Sequence, residues 1–410
     1  MRRAGCGIAG ARISKEHGLG GKRETEHDPA RRRLLGQSLA LAGGAAVTAM
    51  TGFPRISAAR DSIVTASDPH PALGRTLSRI AFGSCAESSK PQPVWDAVLA
   101  RKNDLFVFLG DNVYGDTRDP AVLAAKYAEL AAQPGFARLR ETTPVAAIWD
   151  DHDYGENDAG ADYPMKEASR KLFLDFWREP AGSPRRQRDG VYASYLFGEP
   201  GRRVQLILPD LRYNRTPLTP MELNGADYDA WARARVAAGL PLPGPYVRNP
   251  GPRATMLGER QWQWLARQLE VPAELRLFAS SVQVLADFTG WEAWANFARD
   301  QQRLFDLIRR KRASGVLFLS GDIHYAELSK LDVNVPYPLW DLTSSGLTEE
   351  WRVPTPNSNR ASEVVADANF GFVDVNWRGD ATRLAIGIVD AGGETRMSWE
   401  IPLASLRAPA

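Results

Sequence analysis

The sequence predicts an α/β layered domain from about residue 77 onward, and two observations support this fold class. Short apolar or β-branched runs recur along the chain, and helical patterns such as residues 121–132 and 261–269 lie between several of them. After about residue 368 the pattern changes to that of antiparallel strands joined by an Ala391-Gly392-Gly393 hairpin turn. The strand candidates there are residues 370–377, 382–389 and 396–401.

The apolar runs predict the strands of the main part of the domain. They comprise residues 80–82, 105–109, 145–149, 204–208, 275–279, 316–319 and 338–342. Runs of this length and composition are typical of strands buried on both faces. The Pro- and Gly-rich stretch 213–256 holds one helical pattern, near residues 228–238. We interpret this stretch as a loop over the rim of an active site, with a peripheral insertion of no role as the equal alternative.

Charge separates the first 59 residues from the rest of the chain. The formal net charge is +2 over 410 residues, but residues 1–59 carry ten Lys+Arg against four Asp+Glu. The remainder therefore holds 51 − 10 = 41 basic and 49 − 4 = 45 acidic side chains, a net charge of −4. Because binding to a phosphate backbone needs a basic surplus, we expect no nucleic-acid-binding surface.

The basic head has the order of an export signal. Arg31-Arg32-Arg33 precede a weakly apolar stretch, residues 34–53, and the small residues 57–59 follow as a cleavage site. This order predicts a signal read by the twin-arginine export machinery, and hence a periplasmic or secreted protein. The apolar stretch is too short and polar for a membrane span, so the mature form is expected to have no transmembrane anchor. A basic tail beside an apolar helix is the alternative. The predicted organisation is a removed signal over 1–59, a linker over 60–76 and a catalytic domain over 77–410.

Cysteine usage singles out one thiol. Cys6 lies in the head, which leaves Cys85 as the sole cysteine of the mature chain and excludes an intramolecular disulfide there. A lone thiol in an oxidising compartment has to be buried or bound to something. Cys85 is therefore a candidate ligand, with a buried core thiol as the alternative.

Polar groups capable of chemistry follow six of the apolar runs. The segments are Gly83-Ser84-Cys85, Gly110-Asp111-Asn112-Val113-Tyr114, Asp150-Asp151-His152-Asp153, Pro209-Asp210-Leu211-Arg212, Ser280-Ser281-Val282-Gln283 and Gly321-Asp322-Ile323-His324. Since ligands of open α/β sheets bind beyond the carboxyl ends of the strands, we expect these groups to meet at one edge. A single strand-end Asp would be a turn or a helix cap, but the whole set predicts a site.

The residue types favour a pair of metal ions. Carboxylates and imidazoles that converge without Cys pairs suit hard or borderline metals rather than structural zinc. Two ions about 3.5–4 Å apart would clamp a phosphate and activate water, and residues 150–153 would add a ligand and a general acid. The sequence contains neither a Gly-x-Ser-x-Gly elbow nor a Gly-x-x-x-x-Gly-Lys-Ser/Thr loop, which disfavours a serine hydrolase and a P-loop phosphate site.

The ordered motifs resemble the PhoD-like (alkaline phosphatase D) branch of the metallophosphoesterases. The three main blocks are Gly110-Asp111-Asn112-Val113-Tyr114, Trp149-Asp150-Asp151-His152-Asp153 and Gly321-Asp322-Ile323-His324. The supporting matches are Phe82-Gly83-Ser84-Cys85, Asp210-Leu211-Arg212-Tyr213 and Met256-Leu257-Gly258-Glu259-Arg260-Gln261-Trp262. The blocks follow the family order over roughly residues 77–380. Cys85 in the first block, and Asp151 where the general superfamily has an Asn, are departures that mark this branch.

This resemblance implies a four-layer α/β/β/α sandwich of two mixed sheets with a metal site at the strand ends. The implied cofactors are ferric iron (Fe³⁺) and calcium (Ca²⁺), with other divalent metals as alternatives. By resemblance, Asp111 bridges the two ions. The iron-side residues are Cys85, Tyr114 and His324, and the calcium-side residues are Asp151 and Asp322 with Gln283 or Asn157.

The resemblance also implies catalytic roles for two residues. His152 would protonate the leaving group or hold the transferring phosphoryl group. Arg212 would clamp phosphate, since its planar fork matches phosphate oxygens, with an ion pair to Asp210 as the structural alternative. For Tyr114 the alternative is core packing. The tryptophans that suggest ligand stacking, Trp291 and Trp294 above all, are interpreted as packing groups.

The predicted function is therefore exported, metal-dependent hydrolysis of phosphate mono- or diesters. Diesters are favoured because a crevice with a long rim loop can seat two substituents. The partner is a small phosphate ester, and phospholipid, nucleotide and teichoic-type substrates all fit. The alternatives are a strict phosphomonoesterase, a phospholipase D-type enzyme and an exported protein that binds metal or phosphate without catalysis.

Overall fold

A computed structural model describes residues 67–223, 225–288 and 290–409 of the chain. The predicted signal and the first part of the linker lie outside the described residues. The described strands are β1 (Arg79–Gly83), β2 (Leu105–Leu109), β3 (Val145–Ile148), β4 (Ala193–Phe197), β5 (Val204–Leu208), β6 (Thr219–Pro220), β7 (Tyr246–Val247), β8 (Leu275–Ala279), β9 (Val316–Ser320), β10 (Ala326–Leu331), β11 (Leu339–Ser344), β12 (Asn369–Asn376), β13 (Arg383–Asp390) and β14 (Thr395–Pro402). The α-helices are α1 (Val94–Ala100), α2 (Pro120–Ala132), α3 (Pro134–Thr142), α4 (Asp151–Tyr154), α5 (Lys166–Phe176), α6 (Gly225–Ala237), α7 (Gly258–Gln268) and α8 (Ala298–Arg310).

Two six-stranded mixed sheets form the centre of the domain. The first has the order β14-β13-β12-β1-β2-β3, in which β1, β2 and β3 are parallel and the C-terminal three strands are antiparallel. The second has the order β10-β11-β9-β8-β5-β4, in which β11, β9, β8 and β5 are parallel. Helices cover the sheets, which gives the predicted four-layer α/β/β/α architecture.

The burial of the strands follows their place in the sheets. All five residues of β2, β5, β8 and β9 are buried, as expected of strands packed on both faces. The edge strand β14 is instead mostly exposed or half-buried. One continuous apolar cluster includes residues of both sheets and of the helices. The carboxyl ends of the parallel strands are therefore held in a rigid frame.

Local sequence explains how the helices begin. The Asp119 side chain accepts a hydrogen bond from the Ala121 N–H (2.8 Å), and Pro120 occupies the first helical position of α2. Asp153 caps the start of the short helix α4, because its Oδ1 accepts a hydrogen bond from the Asp150 backbone N–H at 2.7 Å. That cap fixes the direction of the backbone at the end of β3, where predicted site residues begin.

The structure confirms the strand predictions at the centre of the domain and corrects others. β4 and β10 were not predicted, because their buried faces carry polar residues such as Ser194 and Glu327 that interrupt the apolar pattern. The rim stretch contains a full helix, α6, and a small two-stranded sheet of β6 and β7. Among the described residues, no helix combines the length and the apolar character needed to cross a membrane.

Candidate metal centre

Six strand ends converge as predicted, but they come from two sheets rather than one. β1, β2 and β3 of the first sheet lead into Cys85, Asp111 and Asp151. β5, β8 and β9 of the second sheet lead into the segments around Arg212, Ser281 and Asp322. The two edges meet directly, since the Leu347 N–H donates to the Ser84 carbonyl at 3.1 Å. The site therefore lies between the sheets at their carboxyl ends.

Strained backbone marks the same strand ends. Cys85, Asp111, Asp322 and His324 all have left-handed backbone, with φ of 64°, 48°, 74° and 61°. Non-glycine residues seldom adopt this conformation, and it clusters where a functional arrangement imposes it. Gly110, with φ of 104°, is required because a Cβ there would lie 2.5 Å from Asp150 Cβ. The backbone turns are therefore shaped to bring these side chains together.

The first half of the site is the thiol side, which we define as Cys85, Tyr114 and His324. Cys85 Sγ lies 3.4 Å from Asp111 Oδ2 and 3.3 Å from Ser345 Oγ. Tyr114 Oη lies 3.3 Å from His324 Nε2 and 3.5 Å from Asp111 Oδ2. Ser345 Oγ also accepts from the His324 backbone N–H at 2.8 Å, so one hydroxyl contacts both Cys85 and His324.

The second half is the carboxylate side, which we define as Asp150, Asp151 and Asp322. Asp150 Oδ1 accepts from Arg212 Nε at 2.5 Å and from Ser281 Oγ at 2.6 Å. Asp151 Oδ1 lies 3.5 Å from Arg212 Nη2. A buried guanidinium therefore compensates two carboxylates of this side, whereas the hydrogen-bonding partners of Cys85 and Tyr114 among the described residues include no arginine or lysine.

Asp111 lies where the two sides meet. Four groups of candidate ligands have donor atoms within 4.8 Å of one another among the described residues, and Asp111 belongs to three of them. The groups are Cys85–Asp111–His324, Asp111–Asp151–His152, Asp111–Asp150–Asp151–Asp322 and Asp151–Asp158–Glu292. A carboxylate common to three groups is placed to bridge two ions.

Unpartnered oxygens test whether a metal suits these residues. Buried Asp111 Oδ1, Asp150 Oδ2 and Asp151 Oδ1 accept no hydrogen bond. A buried carboxylate oxygen without a donor is costly unless a cation approaches it. The donor set combines oxygens with one thiol and one imidazole, which fits a hard ion beside a borderline ion. The residues present therefore fit a metal centre.

Burial disfavours the charged form of the groups on both sides, and among them Asp151 alone has a pKa shifted toward the charged form. Burial raises the pKa values of Cys85, Asp111 and Tyr114 well above their ordinary values, and the neighbouring acidic groups add to the effect. Burial also acts to raise the pKa of Asp151, but Arg212 and His152 outweigh it and hold that pKa below its ordinary value. Asp322, surrounded by carboxylates, has a pKa raised well above its usual range, mainly by burial.

His152 forms a pair with an acid that the sequence analysis did not single out. Its Nδ1 lies 2.7 Å from Asp116 Oδ1, and its ring lies 4.3 Å from the Tyr114 ring between centroids. Burial acts to lower the pKa of His152, but Asp151, Asp111 and Asp116 overcome it and raise the pKa to about 11. The imidazole is therefore oriented by Asp116 and protonated at neutral pH.

Arg212 has ion-pair partners that the sequence analysis did not predict. Its guanidinium is fully buried and forms ion pairs with Asp150, Asp151 and Glu292. Asp210, the alternative partner, instead accepts the backbone N–H of Arg212 at 2.9 Å. Arg212 does not line the cavity, and its ion pairs are those of a countercharge behind the carboxylates, so its predicted role as a phosphate clamp stays a prediction.

Gln283 and Asn157 occupy different places. Gln283 Nε2 donates to Glu327 Oε1 (2.8 Å) and Thr343 Oγ1 (3.0 Å), which turns its amide toward the second sheet. Asn157 is exposed and lines the cavity, with Nδ2 donating to Asp158 Oδ2 at 2.7 Å. Of the two, only Asn157 faces the space in which a substrate or an ion would lie.

Sequence reasoning missed Glu292, Asp158 and Ser345. Glu292 is buried, pairs with Arg212 and with Arg215, and comes within ligand distance of Asp151 and Asp158. It follows no apolar run, and Asp158 lies in the loop after α4, so position alone gave no signal. Ser345, directly after β11, could have been found by applying the strand-end argument to the seventh run.

The centre opens into a cavity of about 230 Å³. Its walls are formed by Asp151, His152, Asn157, Asp158, Trp291, Glu292, Asp322, Ile323, His324 and Trp351. This volume is small for a ligand pocket, since pockets of drug-sized ligands enclose about 300–1,000 Å³. The cavity can enclose a phosphate group and part of one substituent.

The solved structure of PhoD shares this fold. PhoD has 15% identity and a TM-score of 0.62, with 84% of this chain aligned to 73% of PhoD, a likeness that shows the fold alone. GAP50, the anchor in the inner membrane complex of Plasmodium, has 12% identity and a TM-score of 0.49 over 82% of this chain and 90% of GAP50. The 5′-nucleotidase precursor from Thermus thermophilus has 16% identity and a TM-score of 0.29 over 81% of this chain and 56% of that one. The latter two are too distant to support an argument.

The family assignment comes from sequence. No curated protein matches the chain. The pattern of the PhoD-like phosphatases matches residues 80–383, about three quarters of the chain and all the strand ends described above. Phosphoric ester hydrolysis is the activity of that family, and the ligand clusters provide for a metal-dependent form of it. The chain belongs to the PhoD-like phosphatase family.

Proposed function

We propose that this phosphoric ester hydrolase is an exported enzyme that uses an iron–calcium pair bridged by Asp111. The observation that carries the proposal is the position of Asp111, which is shared by three ligand groups and has a buried oxygen without a donor. If both oxygens of Asp111 bind cations, the positive charge of the ions would compensate the buried acidic groups, which explains why the fold tolerates them. If the acidic cluster served only to stabilise the fold, its carboxylate oxygens would be expected to accept hydrogen bonds.

The two sides differ in the ion that they suit. Cys85, Tyr114 and His324 combine soft, phenolic and imidazole donors, which favours ferric iron with Asp111 as the shared ligand. Asp151 and Asp322 offer hard oxygens, which favours calcium. Asn157 is the candidate for a further oxygen because it lines the cavity, whereas Gln283 does not line it. The proposed ligand set is thus narrower than the one predicted from sequence.

Bound metal ions would supply charge neutralisation of the phosphate and a lowered pKa for water. The protein supplies the proton for the leaving oxygen. His152 lines the cavity, and its Nδ1 is engaged by Asp116, so Nε2 is the nitrogen available to substrate. A protonated imidazole held in this way can donate to the departing alkoxide as a general acid. Tyr114 packs on the ring and keeps it in place.

Phosphate mono- and diesters both fit the site, and we propose diesters as the preferred class. A cavity of about 230 Å³ is small, so a second substituent of a phosphate bound there would extend outside it. A strict phosphomonoesterase and a phospholipase D-type enzyme are the alternatives. Comparison of kcat/KM on p-nitrophenyl phosphate and bis-p-nitrophenyl phosphate separates a monoesterase from a diesterase.

The export proposal rests on the sequence of residues 1–59. A twin-arginine signal carries folded proteins, and a chain with a buried metal centre benefits from acquiring its ions before export. Replacement of Arg31, Arg32 and Arg33 by lysine should retain the protein in the cytoplasm, as measured by fractionation. Unchanged export would contradict the twin-arginine route and leave the hydrolase proposal untouched.

Elemental analysis of protein purified from the exported fraction tests the metal assignment. Near-stoichiometric iron together with calcium is the expected result. Zinc or manganese without iron would keep the phosphoesterase and overturn the ferric assignment. His152→Ala is the companion test, because loss of the general acid should lower kcat by about 10²–10⁴. Unchanged turnover in this variant would overturn the role given to His152.

A further inference from the structure

Two tryptophans that line the cavity are not used by the chemistry described above. Trp291 and Trp351 are half-buried and both border the space beside the metal centre. Their ring centroids lie 6.0 Å apart with an angle of 78° between the planes. Trp294, three residues along, is fully buried and packs against Trp262 and Phe278, as the sequence analysis expected of it. Trp291 therefore departs from the packing role predicted for both tryptophans.

Both rings are tied to residues of the metal centre. The backbone N–H of Trp351 donates to the carbonyl of His324 at 2.8 Å, and its indole Nε1–H donates to the carbonyl of Val353 at 2.7 Å. Trp291 directly precedes Glu292, whose carboxylate lies within ligand distance of Asp151. A substrate group that contacts these rings would therefore lie close enough to the metal centre to belong to the same molecule as a phosphate bound there.

The rim stretch holds Trp291 in place from the outside. Gly244 packs against its backbone so closely that a Cβ there would lie 2.3 Å from the Trp291 nitrogen. Tyr228 of α6 meets the Trp291 ring edge to face, with centroids 5.9 Å apart and an angle of 89°. These contacts favour the active-site interpretation of residues 213–256 over a peripheral insertion.

We propose that Trp291 and Trp351 form a stacking corner for a nucleobase carried by the substrate, so that the preferred esters are those of nucleotides. Because the two planes are nearly perpendicular, a flat ring stacked on one indole meets the other at its edge. Offset stacking and edge-to-face contact are the two arrangements that aromatic rings prefer, and a planar base satisfies both at once. Base stacking on aromatic side chains adds appreciable affinity without requiring a particular base.

The inference rests on the proposed function, because it places the phosphate at the metal centre. Adenosine 5′-phosphate and ribose 5-phosphate test it, since they differ in the base, and their methyl diesters provide the same comparison for diesterase activity. For the metal-loaded wild-type enzyme we expect kcat/KM to be at least about tenfold higher for the base-bearing ester of the active pair. Trp291→Leu and Trp351→Leu should each bring this ratio toward 1, whereas Trp291→Phe should keep most of it.

Matched controls separate stacking from structural support. Replacement of the Trp351 side chain leaves its backbone hydrogen bond to His324 in place, so this variant tests the ring alone. Trp399→Leu, on edge strand β14, is the tryptophan control and should keep the wild-type ratio. A wild-type ratio near 1, or equal losses on both esters in the two leucine variants, would overturn the stacking corner.

Two further outcomes have defined meanings. A preference for phosphocholine over ribose 5-phosphate that Trp291→Leu removes, without preference for adenosine 5′-phosphate, would assign the corner to a quaternary ammonium group and overturn the proposal. Hydrolysis of none of these esters would contradict the proposed function itself. In that case calorimetric binding of adenosine 5′-phosphate and ribose 5-phosphate still decides the inference, because equal affinities would overturn it and a base-dependent difference lost in Trp351→Leu would support it.

Discussion

The thiol side and the carboxylate side of the centre solve the same electrostatic problem in different ways. On the carboxylate side, Arg212 and Arg215 bring permanent positive charge to Asp150, Asp151 and Glu292. On the thiol side, Cys85 and Tyr114 have raised pKa values and form no ion pair with any described arginine or lysine, and Cys85 contacts the hydroxyl groups of Ser84 and Ser345. Asp151 therefore holds its charge before an ion arrives, whereas Cys85 and Tyr114 stay neutral until an ion displaces their protons.

This difference implies that the two sides behave differently in the metal-free protein. A carboxylate cluster with a built-in countercharge keeps its geometry in the metal-free protein, because breaking a buried ion pair would leave charge unpaired. A neutral thiol and phenol can be buried cheaply, and they become strong ligands only when deprotonated. Asp111 belongs to neither side, because it lies between them. Burial raises its pKa well above the ordinary value.

Substitution of Asp111 is expected to have the largest effect because it joins the two sides. Asp111→Asn removes the shared anionic ligand, so both ions should be lost and kcat/KM should fall by more than about 10³. Elemental analysis and steady-state kinetics measure the two effects. Asp380→Asn replaces a carboxylate whose side chain is 90% exposed and should change neither. Retention of one ion at full occupancy in the Asp111 variant would show that the two sides bind independently.

Removal of Arg212 tests the countercharge of the carboxylate side. Arg212→Met should lower the free energy of unfolding by about 3–5 kcal/mol, because three buried carboxylates lose their partner. Urea denaturation of the metal-free protein measures the change. Arg407→Met, which removes an exposed ion pair with Asp380, is the matched control and should cost less than about 1 kcal/mol. A small effect in the Arg212 variant would mean that the carboxylates are not charged together in the fold.

Substitution of Cys85 should separate the ions. Cys85→Ser is expected to lower bound iron while calcium stays near its wild-type level, with a loss of activity of at least about tenfold. The reason is that Cys85 contacts Asp111 and Ser345 but none of the carboxylates paired with Arg212. Metal content after dialysis, measured against Ser345→Ala as a variant of the supporting hydroxyl, reports the selectivity. Parallel loss of both ions would refute the division into two sides.

The smallest expected effects concern stability without metal, and they have opposite signs. The folded pKa of Asp322 is raised, so the folded state binds this proton more tightly and stability falls as pH rises above the unfolded value of about 4. Asp322→Asn should therefore stabilise the metal-free protein at pH 8. The folded pKa of Asp151 is lowered, so its stabilisation is present above about pH 4 and lost as pH falls through the folded value. Asp151→Asn should accordingly destabilise at pH 8.

Thermal unfolding in chelator at pH 8 and at pH 4 measures both variants. The gain from Asp322→Asn should largely disappear at pH 4, where the carboxyl group is protonated in the folded state and about half protonated in the unfolded state. Changes of equal sign in the two variants at pH 8 would show that Arg212 does not discriminate between the two carboxylates.

Most of the fold could be predicted because its central strands are buried on both faces. The runs at β2, β5 and β8 have the bounds that the apolar pattern predicts, since every residue in them faces a packed layer. β10 could not be predicted in this way, because Glu327 is buried against Arg360 and its pattern is polar. Arg360, which compensates the buried charge of Glu327, lies far from it in the sequence, so the local residue pattern does not indicate the ion pair.

The sequence by itself determined the family, the sheet-rich α/β class and most of the proposed ligands, because strand ends carry their side chains to a common edge whatever the detailed packing. Only the tertiary structure decided what each charged group faces. Arg212 turned out to lie behind Asp150 and Asp151 and not in the cavity, and Asp116 became the partner of His152. Likewise, Trp291 lines the cavity, whereas Trp294 lies in the core. The physical reason is that burial and charge compensation depend on groups far apart in the chain, which only the folded arrangement of the two sheets brings within a few ångströms.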